Sequence, residues 1–152
     1  MEMKDEVVIR ADRRTVWENL NDPDVLRDCI PGCKDLEQTE SGGMTATVVA
    51  KVGPVKATFK GEVELENLNP PESYTIQGEG KGGIAGFAKG GADVRLEEIA
   101  EGTILHYDVQ AKVGGKLAQI GNRLIDSTAK KLANEFFANF KARVEGPEAD
   151  AA

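Results

Sequence analysis

The sequence predicts an α+β domain in which an antiparallel sheet of six to seven strands wraps around one long C-terminal helix, with two short helices after strand 1. Three observations carry this expectation. Period-two apolar alternation recurs from Met44 to Val113 between short Gly- and Pro-containing turns, the spacing then changes to three and four residues from Lys116 to Val144, and two short capped segments lie between Asp12 and Ile30. In a chain of 152 residues these elements make one domain over 1–145, and residues 146–152 read as a disordered acidic tail.

The first strand places Met3, Val7 and Ile9 on one face. Asp12 is positioned to cap a short helix bearing Val16, Trp17 and Leu20. Asn21-Asp22-Pro23 ends that helix and opens a second with Val25, Leu26, Cys29 and Ile30, which Pro31-Gly32 stops. After Ser41-Gly42-Gly43, residues Met44, Ala46, Val48, Ala50 and Val52 share a face. Gly53-Pro54 turns the chain into a strand with Val55, Ala57, Phe59, Gly61, Val63 and Leu65 facing in. Tyr74, Ile76, Gly78 and Gly80 continue the inner face, followed by Gly86 to Leu96 and by Thr103 to Val113, so that short turns link an antiparallel meander. From Lys116 the apolar positions Leu117, Ile120, Gly121, Leu124, Thr128, Leu132, Phe136 and Phe140 predict a helix roughly 43 Å long that Gly146-Pro147 ends.

The inner face of this sheet is built from small residues, including Ala46, Ala57, Gly61, Gly78, Gly80, Ala88, Gly90 and Ala92. A dense interior requires large side chains opposite small ones, and the helix supplies only ordinary Leu, Ile and Phe. A hollow between sheet and helix follows, with Tyr74, Thr103, Tyr107 and Thr128 as its few polar groups, the composition of a small-molecule pocket. Its expected walls are Phe59, Val63, Ala88, Val94, Tyr107, Leu124, Leu132 and Phe136. The alternative is a solid core in which glycines mark bends, with Gly121 allowing the helix a close approach.

Acidic residues exceed basic ones by 26 to 19, a net charge of -7 that opposes binding to nucleic acid or to an anionic membrane. No apolar run approaches the roughly 20 residues of a membrane span, and the charged N-terminus lacks the apolar stretch of a signal peptide, so a cytoplasmic location is expected. Cys29-Ile30-Pro31-Gly32-Cys33 has three intervening residues rather than the two of a thioredoxin-like pair, and one histidine with two cysteines does not complete a zinc site. Two small buried side chains fixing a turn is one reading of it; a redox or partner contact, through an exposed loop of Ile30, Pro31, Gly32 and Cys33, is the other. His106 has an outward phase, carboxylates fall almost entirely on outward phases, and Ser127 has no inward histidine to activate it, so no catalytic residues and no metal site are expected. Unpaired edge strands leave a homodimer open.

Leu26-Arg27-Asp28-Cys29-Ile30-Pro31-Gly32-Cys33, the glycine-rich Gly80 to Gly91 and the run Gly114 to Ile125 resemble the CoxG family of carbon monoxide dehydrogenase subunits, within the START and polyketide-cyclase (SRPBCC) superfamily. The resemblance implies a helix-grip fold and an accessory protein of a molybdenum hydroxylase of the aerobic carbon monoxide dehydrogenase type. It also implies a quinone or other lipophilic molecule held without covalent attachment, and a part in bringing the enzyme to the membrane. Longer relatives continue into a membrane-attaching segment. The chain ending at Ala152 therefore leads to an expectation of indirect membrane association, through a partner. A superfamily enzyme such as a cyclase, and an assembly scaffold without a ligand, are the competing expectations.

Overall fold

In the computed structural model the strands form one seven-stranded antiparallel sheet of order β1-β7-β6-β5-β4-β3-β2, with β1 and β2 at its edges. The strands are β1 (Glu2–Ile9), β2 (Cys33–Gln38), β3 (Met44–Val52), β4 (Val55–Asn69), β5 (Ser73–Lys81), β6 (Phe87–Ile99) and β7 (Gly102–Gly114). Helices α1 (Arg13–Leu20) and α2 (Pro23–Cys29) join β1 to β2, and α3 (Lys116–Gln119) precedes α4 (Asn122–Ala151). Side chains are described for residues 1–145; the stop expected at Gly146-Pro147 and the tail expected over 146–152 lie outside these described residues.

Local chemistry sets most boundaries. Asp12 caps α1 by accepting a hydrogen bond from the Thr15 amide (3.1 Å), and Asp22 caps α2 by accepting from the Asp24 amide (2.9 Å), with Pro23 at the first helical position. The Asp12 carboxyl is held below its ordinary value, first by its side-chain hydrogen bond with Thr15. β2 is not among the strands expected from alternation, because Leu36 alone of Lys34-Asp35-Leu36-Glu37-Gln38 is buried and an edge strand needs little more. The long helix differs from expectation too. Gly121 has a φ of 98°, in the left-handed region, and separates the single turn of α3 from α4. A Cβ placed on Gly121 meets nothing within 4 Å, so this glycine serves the break and not a close helix–sheet approach.

Register carries each inner-face residue into a row across the sheet. One row runs Leu36, Ala46, Gly61, Gly80, Ala88, Val113; the next runs Met44, Val63, Gly78, Gly90, Ala111. Leu36 and Met44 apart, large buried side chains gather away from these rows, where Ile9, Val16, Trp17, Leu20, Val25, Leu96, Leu105 and Phe140 pack α1, α2 and the later part of α4 on β1, β6 and β7. There Trp17 meets Tyr74 edge-on with centroids 5.1 Å apart, and Phe136 stacks on Phe140 at 5.8 Å.

Candidate ligand cavity

Between the concave sheet and α4 lies a cavity of about 320 Å³ lined by nineteen residues, of which Tyr74 and Tyr107 alone carry a polar side-chain atom. β4 and β5 supply Val63, Leu65 and Ile76, β6 and β7 supply Ala92, Val94 and Val109, and α4 closes it with Ala133, Phe136 and Phe137. Leu26 and Ile30 of the α2 end and Leu36 of β2 complete the wall. Tyr107 stacks on Phe137 at 5.2 Å, so one aromatic pair joins sheet to helix at the cavity's edge. Burial raises the hydroxyl pKa of Tyr74, and burial followed by the charge of Asp5 raises that of Tyr107. Both therefore stay neutral donors at physiological pH.

Of the walls expected from sequence, Val63, Val94, Tyr107 and Phe136 come together here. Phe59, Ala88, Leu124 and Leu132 do not. The Phe59 ring covers Gly82, where an added Cβ would lie 2.5 Å from its Cε1, and Ala88 lies in the neighbouring row with Gly80 and Val113. Leu124 is 46% exposed and abuts Gly53 of the β3–β4 turn, and Leu132 is half-buried outside the lining. The helix face that meets the cavity includes Ala133 and Phe137, offset by one residue from the expected 132–136 stripe. The adjacent Phe136-Phe137 doublet was the available signal, since two neighbouring aromatics widen an apolar face. Thr103 is fully buried and donates to the Ala11 carbonyl (2.8 Å), which removes it from the pocket, and Thr128 does not line it.

The Cys29–Cys33 segment is less exposed than expected. Ile30 turns into the cavity wall, Pro31 is half-buried, and the Gly32 carbonyl accepts from the Val49 amide (2.9 Å), with only Gly32 exposed. Asn139 of α4 donates to the Cys29 carbonyl (3.0 Å), and Cys33 opens β2 with its thiol donating to the Asp35 carbonyl (3.4 Å). Burial pushes both thiols up from their ordinary value, so both are protonated at neutral pH and poor nucleophiles.

Asp5, in register with Tyr107, and Glu98, in register with Thr103, have an inward phase, yet both are exposed and outside the cavity. His106 lies on the convex face between Glu6 (3.6 Å) and Glu97 (2.9 Å). No group of three metal-ligating side chains occurs among the described residues. Convex-face grooves of about 690 and 680 Å³ are larger than the cavity, but charged side chains such as Lys4, Asp93, Asp108 and Lys112 line much of them.

A curved antiparallel sheet gripping a C-terminal helix over an apolar hollow defines a START-like helix-grip protein. The chain matches the CoxG family model of carbon monoxide dehydrogenase subunits over residues 6–145, and it belongs to that family of carbon monoxide dehydrogenase-associated accessory proteins. A conserved protein from Geobacillus kaustophilus has a similar structure, with 30% identity, a TM-score of 0.89 and 95% of each chain covered. A START superfamily protein from Mycobacterium smegmatis shares the fold at 14% identity and TM-score 0.69, covering 95% of this chain and 97% of its own. A protein from Thermus thermophilus does so at 16% and 0.70, with the same coverage. Among curated proteins none matches the chain. No helix among the described residues is long and apolar enough to cross a membrane.

Proposed function

We propose that this protein binds a lipophilic small molecule in the sheet–helix cavity. It does so as an accessory protein of a carbon monoxide dehydrogenase-type molybdenum hydroxylase, and it carries out no catalysis of its own. The observation that carries the reading is the lining: seventeen of nineteen residues offer no polar side-chain atom, and the wall that the cavity presents is almost wholly apolar. An apolar ring or chain, as in a quinone, matches that lining. The volume of about 320 Å³ lies at the lower end of ligand pockets, so it suits a head group or a short apolar tail and excludes a whole polyisoprenoid. A carrier of this kind would help couple the enzyme to the membrane.

Native mass spectrometry of protein from its own host, followed by organic extraction, identifies what is bound. Ala92 lines the cavity in register with Ile76 and Val109, so Ala92→Trp is expected to abolish uptake of an added quinone while the domain stays folded by circular dichroism. Ala88→Trp, two rows away, is expected to affect uptake less. Protein that is empty as isolated and takes up no quinone would sink the carrier reading in favour of a ligand-free scaffold, and unchanged uptake by Ala92→Trp would remove the ligand from this cavity.

A further inference from the structure

Cys29 and Cys33 are the residues that the sequence offers for redox chemistry, yet neither is placed for it. Cys29 is 1% exposed, the Cys33 thiol is engaged with the Asp35 carbonyl, and neither lines the cavity. Thiol oxidation runs through the thiolate, and burial keeps both groups protonated. A thioether has no proton to lose, so its oxidation turns on access.

The chain has three methionines, and their places differ. Met44 lines the cavity but is only 6% exposed, in register with Gln38 on one side and Val63 on the other. Met1 is half-buried and outside the lining. Met3, alone of the three, combines access with the cavity: it is half-buried on the edge strand β1, beyond which the sheet has no further strand, and it lines the cavity wall. Its position is held on both sides. The Met1 amine donates to the Ala111 carbonyl and the Ala111 amide donates to the Met1 carbonyl, each at 2.9 Å, and Met3 is in register with Val109, another lining residue. The strand end is therefore paired, and Met3 stands between the open edge of the sheet and the cavity.

The wall around that sulfur decides what an added oxygen does. Seventeen of nineteen lining residues carry no polar side-chain atom. Sulfoxide formation turns a flexible apolar side chain into a polar one. Kept in the wall, the new oxygen is an acceptor set in an apolar surface; turned out to solvent, it takes its side chain with it and leaves a gap. Both arrangements disfavour an apolar ligand.

We propose that Met3 is a site of reversible oxidation by hydrogen peroxide, and that its sulfoxide weakens ligand binding in the sheet–helix cavity. In the step, a lone pair of the thioether sulfur attacks one peroxide oxygen. An S–O bond forms as the O–O bond breaks, and the displaced hydroxide takes the proton of the new S–OH group and leaves as water. Sulfur is oxidised and peroxide is reduced by the same electron pair. Methionine sulfoxide reductases, one for each epimer, reverse the change with a dithiol that becomes a disulfide as water leaves. The effect on uptake rests on the carrier reading; the oxidation of Met3 does not.

The test treats the full chain with hydrogen peroxide, reads the sulfoxide on each methionine by peptide mass spectrometry, and measures affinity for decylubiquinone before and after. Met3 should be oxidised ahead of Met44, affinity should fall about tenfold, and treatment with both reductases should restore it. Saturating decylubiquinone should slow the oxidation of Met3 and not that of Met1, because coupling between two events is reciprocal. Met3→Leu, compared with its own untreated form, should lose the peroxide effect, and Met44→Leu, compared in the same way, should keep it. Unchanged affinity once Met3 is oxidised, an equal fall in Met3→Leu, or oxidation of Met44 ahead of Met3 would overturn the proposal and leave the carrier reading standing. No uptake by the untreated protein would sink the carrier reading, and the effect of Met3 on uptake with it.

Discussion

The two ends of α4 cover the same sheet with opposite results. Late in the helix, Phe140 is fully buried in a cluster with Ile9, Val16, Leu20 and Leu105, and the Tyr107–Phe137 stack joins helix to sheet. Early in the helix, Leu124 is exposed beside the β3–β4 turn and Leu132 is only half-buried, while the sheet row Ala46, Gly61, Gly80 and Ala88 offers only small side chains, none of them fully buried. Helix propensity does not separate the two halves; the volume of the facing strand residues does. Where both surfaces are large they interdigitate, and where the strand offers no side chain the helix side chains cannot reach across. One end thus holds the fold while the middle stays hollow, which lets a domain of this size keep a cavity and remain stable.

Truncation along one helix should break that comparison most sharply. Phe140→Ala should cost about 3–5 kcal/mol in denaturant unfolding, the range for a buried aromatic, and Leu132→Ala less than half as much. Equal losses would mean that the hollow end is packed in solution. Glycine replacement comes next. A Cβ on Gly90 would lie 2.0 Å from the Gln110 carbonyl oxygen and 2.7 Å from the Ala111 Cα, so Gly90→Ala must displace backbone and should cost about 1–3 kcal/mol. A Cβ on Gly80 meets nothing within 4 Å, so Gly80→Ala should be neutral or stabilise by about 0.5 kcal/mol. Comparable destabilisation by both would show that Gly80 is a bend and not open space.

The packed end also predicts an alkaline limit. Tyr74, Cys29 and Cys33 have folded-state pKa values above their ordinary 10.0, 9.0 and 9.0, each through burial first. The folded state therefore keeps protons that the unfolded chain releases, so their contribution is fully present below about pH 9 and declines as pH rises beyond it. Tyr74→Phe should flatten the decline above pH 10 in urea melts, and a slope unchanged by that substitution would place the loss elsewhere. A modest loss is expected at the join of α2 and α4: Asn139→Ala removes the hydrogen bond to the Cys29 carbonyl and should cost about 1 kcal/mol, measured by chemical denaturation.

Val63, Val94 and Tyr107 are legible in the chain because a strand's period of two states which residues share a face, and Phe136 because it falls on the apolar stripe of a helix. Ala133 and Phe137 are not, because the phase of a helix depends on where it starts, and the left-handed Gly121 resets the start to Asn122. Nor is β2, because an edge strand with one buried residue has no alternation to read.

Alternation, turn residues, capping aspartates and the small inner-face residues are local, and by themselves they determined the meander, the two capped helices and the shortage of volume opposite α4. The tertiary structure decided which small residues border space and which border backbone, and which face of the helix meets the sheet. Those outcomes depend on contacts between residues far apart in the chain, whose distances no local pattern encodes.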